Sequence, residues 1–379
     1  MVDGYGNMYA PLLPLLIPRH AMDLRTAGTL AMLFQIAASV CQLAFGHLAD
    51  RWRPRVLLRA GPIIAITVLS LIGLAASVPV LALILVAGGL GCAMFHPPGA
   101  ALTHRLGRGR PGFAMSVYIT GGSLGFAMGP LFFAPFVERF GLQWTPLVAA
   151  PGLLLAAVTA SRIPPIDPAD HRTDGGFRTL RPYVKPLACL YSIVVLRTLT
   201  SLGFATFVPV MLTRRGVSIG AAGAQVALYL FASGLGGFLG GPSADRWGAR
   251  RVIMISLVAA APFLAMAPLL DGWAFAITLA IGGFFLQSTL PVNVTFGQAL
   301  APVSAATVSS LMMGFAWGSG GLSVPIVGLA ADRFGIEPTL IALSAGPIAA
   351  MLCALPLPAG RIAHTPSQPA AVAMSEPAE

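Results

Sequence analysis

Charge is what this chain has least of. Only 9% of its 379 residues are Asp, Glu, Lys or Arg, against about 25% in a soluble domain, too few to cover a water-facing surface. Acid is scarcer than base: 13 Asp and Glu against 23 Lys and Arg leave a formal net charge of +10. That excess would suit a nucleic-acid partner, but the basic residues sit in short loops between apolar runs and not on one polar face, which argues against that class. Only four cysteines occur, Cys41, Cys92, Cys189 and Cys353, all inside apolar segments and without metal-ligand spacing. They read as small buried hydrophobes, with neither a metal site nor a disulfide implied. A phosphate-binding loop, an HExxH pair and a Ser/His/Asp set in supporting context are also missing, so no enzyme class and no cofactor is expected. No nucleotide-binding domain follows the apolar runs, which disfavours an ATP-driven pump. The N-terminus has neither a basic leader nor a small-residue cleavage site, so no removable signal peptide is expected.

What the chain does have is apolar sequence. Hydrophobic residues make up 56% of it and the mean hydropathy is +0.81. Runs long enough to cross roughly 30 Å of hydrocarbon recur from end to end. Twelve spans are predicted, an all-α membrane protein. One polar connector, Arg162 to Pro182, splits them six and six. The expected layout is a six-helix half over 1–162, a cytoplasmic loop over 163–182, a second half over 183–358 and a tail of disordered composition over 359–379.

One stretch occurs twice. Gly46-His47-Leu48-Ala49-Asp50-Arg51-Trp52-Arg53-Pro54-Arg55 is answered 195 residues later by Gly241-Pro242-Ser243-Ala244-Asp245-Arg246-Trp247-Gly248-Ala249-Arg250. Each copy lies between two apolar spans, so the two halves read as pseudo-symmetric repeats. Counted on alternating sides, sixteen basic residues share a side with these copies and six lie opposite. The bias puts both termini in the cytoplasm, with the protein in the plasma (inner) membrane. The same offset would start the first span about twelve residues before Met1, so that span is expected to lack its cytoplasmic half.

With the doubled stretch, the six-plus-six division and the central loop, the chain resembles the major facilitator superfamily. That family's signature after span two has the form Gly-x-Leu-Ala-Asp-Arg-x-Gly-Arg-Lys. Gly46, Leu48, Ala49, Asp50, Arg51 and Arg55 match it, whereas Arg53 and Pro54 depart from it; the second copy keeps Gly248 but has Ser243 for Leu. A narrower resemblance, to the fosmidomycin resistance branch, rests on Phe95-His96-Pro97, on Gly121-Gly122-Ser123-Leu124-Gly125 through Gly129-Pro130, and on Gly314-Phe315-Ala316-Trp317-Gly318 through Ala331-Asp332-Arg333-Phe334-Gly335. The family resemblance implies a cavity between the halves, lined by spans one and seven. It also implies a latch on the cytoplasmic side formed by Gly46, Asp50, Arg51 and Arg55 with Gly241, Asp245, Arg246 and Arg250. From the residues alone, the carboxylates would cap a neighbouring helix while the arginines take lipid phosphate or a facing carboxylate; a solvated anchor is the plainer alternative.

Charge within the membrane is costly and marks function or a partner. Asp3 and Arg197 are the clear cases, at nearly equivalent depths under the repeat offset. They are expected to face each other or share a substrate, with Asp3 carrying a proton; a solvated Asp3 or a structural Arg197 stands as the alternative. His96 could titrate or simply pack, and Pro97-Pro98 after it should disrupt span four. Tyr5, Asn7, Gln287 and Asn293 would orient a ligand or join helices. Gly121, Gly125, Gly129 and Pro130 form an antiporter-like pattern: Gly125 to Pro130 resembles the core of the family's antiporter signature, with Leu131 and Phe132 where its further glycines would stand, and plain helix packing explains the same glycines equally. The expected function is secondary active transport by alternating access, as proton-coupled efflux of a small anionic or drug-like compound. The alternative is an importer or facilitator of a small metabolite. The partners would be substrate, protons and lipid, with the protein a monomer.

Overall fold

The computed structural model describes residues 1–51, 54–106, 111–164, 177–301, 308 and 310–358. The tail over 359–379, most of the central loop, and the side chains of Asp50 and Arg51 lie outside what is described. Among the described residues, eleven helices are long and apolar enough to cross a membrane. They are numbered here as spans two to twelve: Leu24–Ala49, Pro54–Leu74, Val78–Thr103, Val117–Phe140, Leu142–Arg162, Leu180–Arg214, Ile219–Trp247, Ala249–Leu269, Gly272–Leu300, Leu311–Phe334 and Ile336–Ala354. Span one is two shorter helices, Val2–Gly6 and Tyr9–Arg19.

The break in span one has a local cause. Pro11 has no N–H to give the carbonyl of Asn7, four residues back, and its ring crowds that carbonyl. The chain therefore leaves the helix at Asn7 and resumes at Tyr9. The expected disruption of span four at Pro97-Pro98 does not occur: one helix runs from Val78 to Leu106 through both prolines. A membrane helix tolerates this where its surroundings compensate the freed backbone groups; span two packs on this turn, with Gly46 lying against the Pro97 ring.

Within the first half, spans three and four pack together; in the second, span ten packs on spans eight and nine and span twelve on span seven. Among the described residues the halves meet chiefly through span two with eleven, five with eight, and one with seven, span one also touching span eight. Spans two and eleven each contain a π-helical turn, Ile36–Val40 and Ser310–Phe315. Such turns are uncommon and frequent at functional sites. Large apolar side chains such as Leu83, Leu154, Ile326 and Leu352 are exposed on the outer faces, as a hydrocarbon solvent requires.

The end bearing the doubled stretch is called the motif side below, and the other the far side. Spans five and eight touch at the far side and diverge toward the motif side. A Cβ on Gly223 would meet the carbonyl of Pro130 at 2.7 Å and one on Gly234 the Ser123 side chain at 3.2 Å, but one on Gly241, two turns further toward the motif side on the same face of span eight, would meet nothing within 4 Å. Spans five and eight thus part toward the motif side.

Candidate functional site

Two polar centres lie inside the bundle, one in each half. In the first half Asp3 Oδ1 is 3.3 Å from His96 Nε2, with both side chains about a quarter exposed, at 25% and 26%. His96 Nδ1 lies 3.4 Å from the Tyr118 hydroxyl, which is also 3.4 Å from the His96 carbonyl oxygen. Span five supplies the groove that lets span one approach so closely. A Cβ on Gly122 would fall 3.3 Å from Asp3 Oδ2, one on Gly125 3.2 Å from the Met1 nitrogen, and one on Gly129 2.7 Å from the Gly4 carbonyl. Gly125 and Gly129 of the antiporter-like pattern, together with Gly122, therefore seat the segment that carries Asp3, whereas Gly121 faces open space. Asn7 donates to the carbonyl of Phe126 at 2.9 Å, and the Tyr5 hydroxyl donates to the carbonyl of Val148. Both side chains anchor span one to its neighbours in this conformation.

In the second half Arg197 is fully buried. It donates to the Gln287 amide oxygen and, at 3.2 Å, to the Thr198 hydroxyl. Its guanidinium lies over the Trp317 ring, 5.5 Å from the centroid, an attraction that desolvation strengthens. Among the described residues its Nε has no partner, and neither has either amide atom of the buried Asn293. Among the described residues no carboxylate lies within ion-pair distance of Arg197. The expected pairing of Asp3 with Arg197 is thus replaced by Asp3 with His96 and Arg197 with Gln287. The cause is packing: the span-five glycines draw Asp3 against its own half.

In the doubled stretch the latch expected of Asp50 and Arg51 falls on side chains outside those described, but the partners of Arg55 and Arg250 differ from expectation. Arg55 donates to the carbonyl of Ile163 at 2.8 Å, Arg59 to that of Ala160 at 3.1 Å, and Arg250 to that of Leu355 at 2.6 Å. Each arginine caps the C-terminal end of the last span of its own half, where unpaired carbonyls and the negative pole of the dipole favour a cation. Lipid phosphate or a facing carboxylate is not needed to explain Arg55 and Arg250. Asp245 and Arg246 are exposed at the end of span eight, with Arg246 over the Trp247 ring at 6.0 Å. Gly46 packs on Pro97 and Gly241 has open space around it.

Tyr118 and Trp317 were not singled out by the sequence reading. Tyr118 stands four residues before Gly122, on the helical face that receives Asp3, and that spacing was the available signal. Trp317 lies within the glycine-rich stretch of span eleven, where its small neighbours leave the ring room to reach Arg197.

Comparison with known proteins agrees with this geometry. The model of the Major Facilitator Superfamily matches residues 2–213 and 190–373. A fosmidomycin resistance protein of Escherichia coli (strain K12) is 29% identical over 349 residues, 88% of this chain and 84% of its own length. An uncharacterized MFS-type transporter of Bacillus subtilis (strain 168), YfnC, is 29% identical over 367 residues, covering 93% and 89%. Among solved structures, a bacterial homolog of the human lysosomal transporter Spinster, in an inward-facing and occupied conformation, superposes with a TM-score of 0.76 at 20% identity over 93% of both chains. The nucleoside transporter NupG superposes with a TM-score of 0.75 at 13% identity, covering 93% of this chain and 97% of its own. Two six-helix halves, each with a polar centre, and the family's model matched over both halves place the chain in the Major Facilitator Superfamily of membrane transporters.

Proposed function

We propose that the protein is a proton-coupled exporter of a small anion, working by alternating access from the plasma (inner) membrane with both termini in the cytoplasm. The observation that carries this reading is the unequal charge of the two centres. Asp3 is matched by His96, whereas Arg197 is a fully buried guanidinium whose partners among the described residues are neutral. A buried cation without a counter-charge is costly in a membrane, and an anionic substrate would supply one. Asp3 is the group suited to carry a proton: protonating its carboxylate weakens its contact with His96 and loosens span one from span four. The basic bias of the motif side supports a cytoplasmic opening, so the described conformation would load substrate from the cell interior. The name of the Escherichia coli relative supports efflux.

The test uses everted membrane vesicles with an imposed pH gradient and a panel of phosphonates, organic acids and amphipathic drugs. Dissipation of the gradient by an anionic compound in wild type, and its loss in Asp3→Asn, is the expected result. No dissipation by any compound, with the protein verified in the membrane, would turn the reading to import or uniport.

A further inference from the structure

The far side carries a second internal repeat. Val137-Glu138-Arg139-Phe140-Gly141 ends span five, and Ala331-Asp332-Arg333-Phe334-Gly335 ends span eleven, 194 residues later. Gly141 and Gly335 take the same left-handed turn, at φ 88° and 94°, a conformation that costs glycine little. Arg139 and Arg333 each lie 5.8 Å over the phenylalanine that follows.

The carboxylates of this repeat reach into the opposite half. Asp332 accepts the backbone N–H of Leu24 at 2.9 Å on one oxygen and that of Arg25 at 2.8 Å on the other. Glu138 accepts the N–H of Gly220 at 2.8 Å. Leu24 and Arg25 open span two, and Gly220 is the second residue of span eight. These amides have no acceptor within their own helices and carry the positive end of the dipole.

One turn deeper the backbones themselves meet. A Cβ on Gly28 would lie 2.7 Å from the carbonyl of Val324, and one on Gly223 2.7 Å from the carbonyl of Pro130. Gly28 and Gly223 are related by the 195-residue offset, and Pro130 and Val324 by the 194-residue offset. The far-side seal is therefore two-fold symmetric in its clasps and in the glycines beneath them.

We propose that Glu138 and Asp332 are the paired clasps of a far-side gate, each holding closed the N-terminus of a helix in the opposite half. The idea rests on alternating access, because both contacts cross between the halves and must break when the far side opens. Asp332 makes two of the three bonds, so it is the stronger clasp. The arginine beside each carboxylate stacks on its own phenylalanine and leaves the oxygens free for the helix end.

The test reads geometry, independent of any substrate. Arg19 and Arg214 are exposed at the far-side ends of spans one and seven; cysteines placed there in a cysteine-free background would carry spin labels for pulsed distance measurement. The unmodified gate should give one short distance. Glu138→Ala with Asp332→Ala should add a longer component, Asp332→Ala alone a smaller one, and Glu138→Ala the smallest. Gly28→Ala, which leaves both carboxylates intact and drives a methyl group against a backbone carbonyl, should also lengthen the distance. The isosteric pair Glu138→Gln with Asp332→Asn guards against misfolding, and an intermediate lengthening is expected there. A distribution unchanged in either double variant, eluting as folded protein, would overturn the proposal. Lengthening in a protein that moves no compound would uphold the clasps while removing the transport reading.

Discussion

Arg197 shows how much one position can decide. A guanidinium at zero exposure in a membrane interior is tolerated only with donors satisfied and charge offset, and the protein provides the first in part through Gln287 and Thr198. Replacing it by glutamine removes the charge but keeps hydrogen-bonding capacity. Hydrogen bonds to charged groups contribute about 1.5–3 kcal/mol, so Arg197→Gln should weaken binding of an anionic substrate roughly tenfold to hundredfold. Lysine keeps the charge but loses the planar fork and the stacking on Trp317, so Arg197→Lys should fall between. Binding of a radiolabelled anion to purified protein measures both; equal affinity in all three proteins would remove Arg197 from the substrate site. This residue was legible in the sequence because an ion in an apolar run is conspicuous. Its partners were less so: Gln287 stood out as a ligand-orienting or helix-joining residue but nothing tied it to Arg197, and Trp317 looked like packing. Asp3 was legible for the same reason as Arg197, yet its partner His96 depends on glycines in a third helix, which no spacing within spans one or four reveals.

Helix packing in a membrane draws little on hydrophobic burial and much on close backbone approach, and spans eight and ten illustrate it. A Cβ on Gly240 would collide with the carbonyl of Ser288, whereas one on the adjacent Gly241 would meet nothing within 4 Å. Gly240→Ala should therefore cost about 1–3 kcal/mol, the usual range for forcing extra volume into a packed site, while Gly241→Ala should be nearly neutral. Thermal unfolding in detergent measures the pair; a similar loss in both would show that the glycines act through helix propensity and not through contact. Arg250 makes a second prediction at this scale. Its bond to the Leu355 carbonyl closes the end of span twelve, so Arg250→Ala should lower stability by about 0.5–1.5 kcal/mol, read in the same assay. The doubled stretch was visible in sequence, and so was its place after spans two and eight. That its arginines would grip the last helix of each half was not visible, because the acceptors are backbone carbonyls and leave no mark in residue identity. Pro97-Pro98 misled for a related reason: the sequence shows the missing donors but not the surroundings that make their loss tolerable.

At the scale of the whole molecule, the twelve-span count and the two-fold repeat follow from apolar run length and the 195-residue offset, and the structure agrees with both. The conformation does not follow, since a sequence that alternates between two states must be compatible with each. What distinguishes them is the angle between the halves, which spans five and eight report. These helices run antiparallel, with Glu138 beside Gly220, Pro130 beside Gly223 and Ser123 beside Gly234. Continuing that register toward the motif side sets Ile119 against Phe238, both exposed and on the diverging part. Cysteines at Ser123 and Gly234 should thus form a disulfide under mild oxidation whether or not substrate is present. Cysteines at Ile119 and Phe238 should do so poorly at rest and more readily once a transported compound drives the motif side to close. A high yield at Ile119 and Phe238 without substrate would mean that the helices do not diverge. A yield that substrate leaves unchanged would mean that closure of the motif side proceeds at another pair of helices.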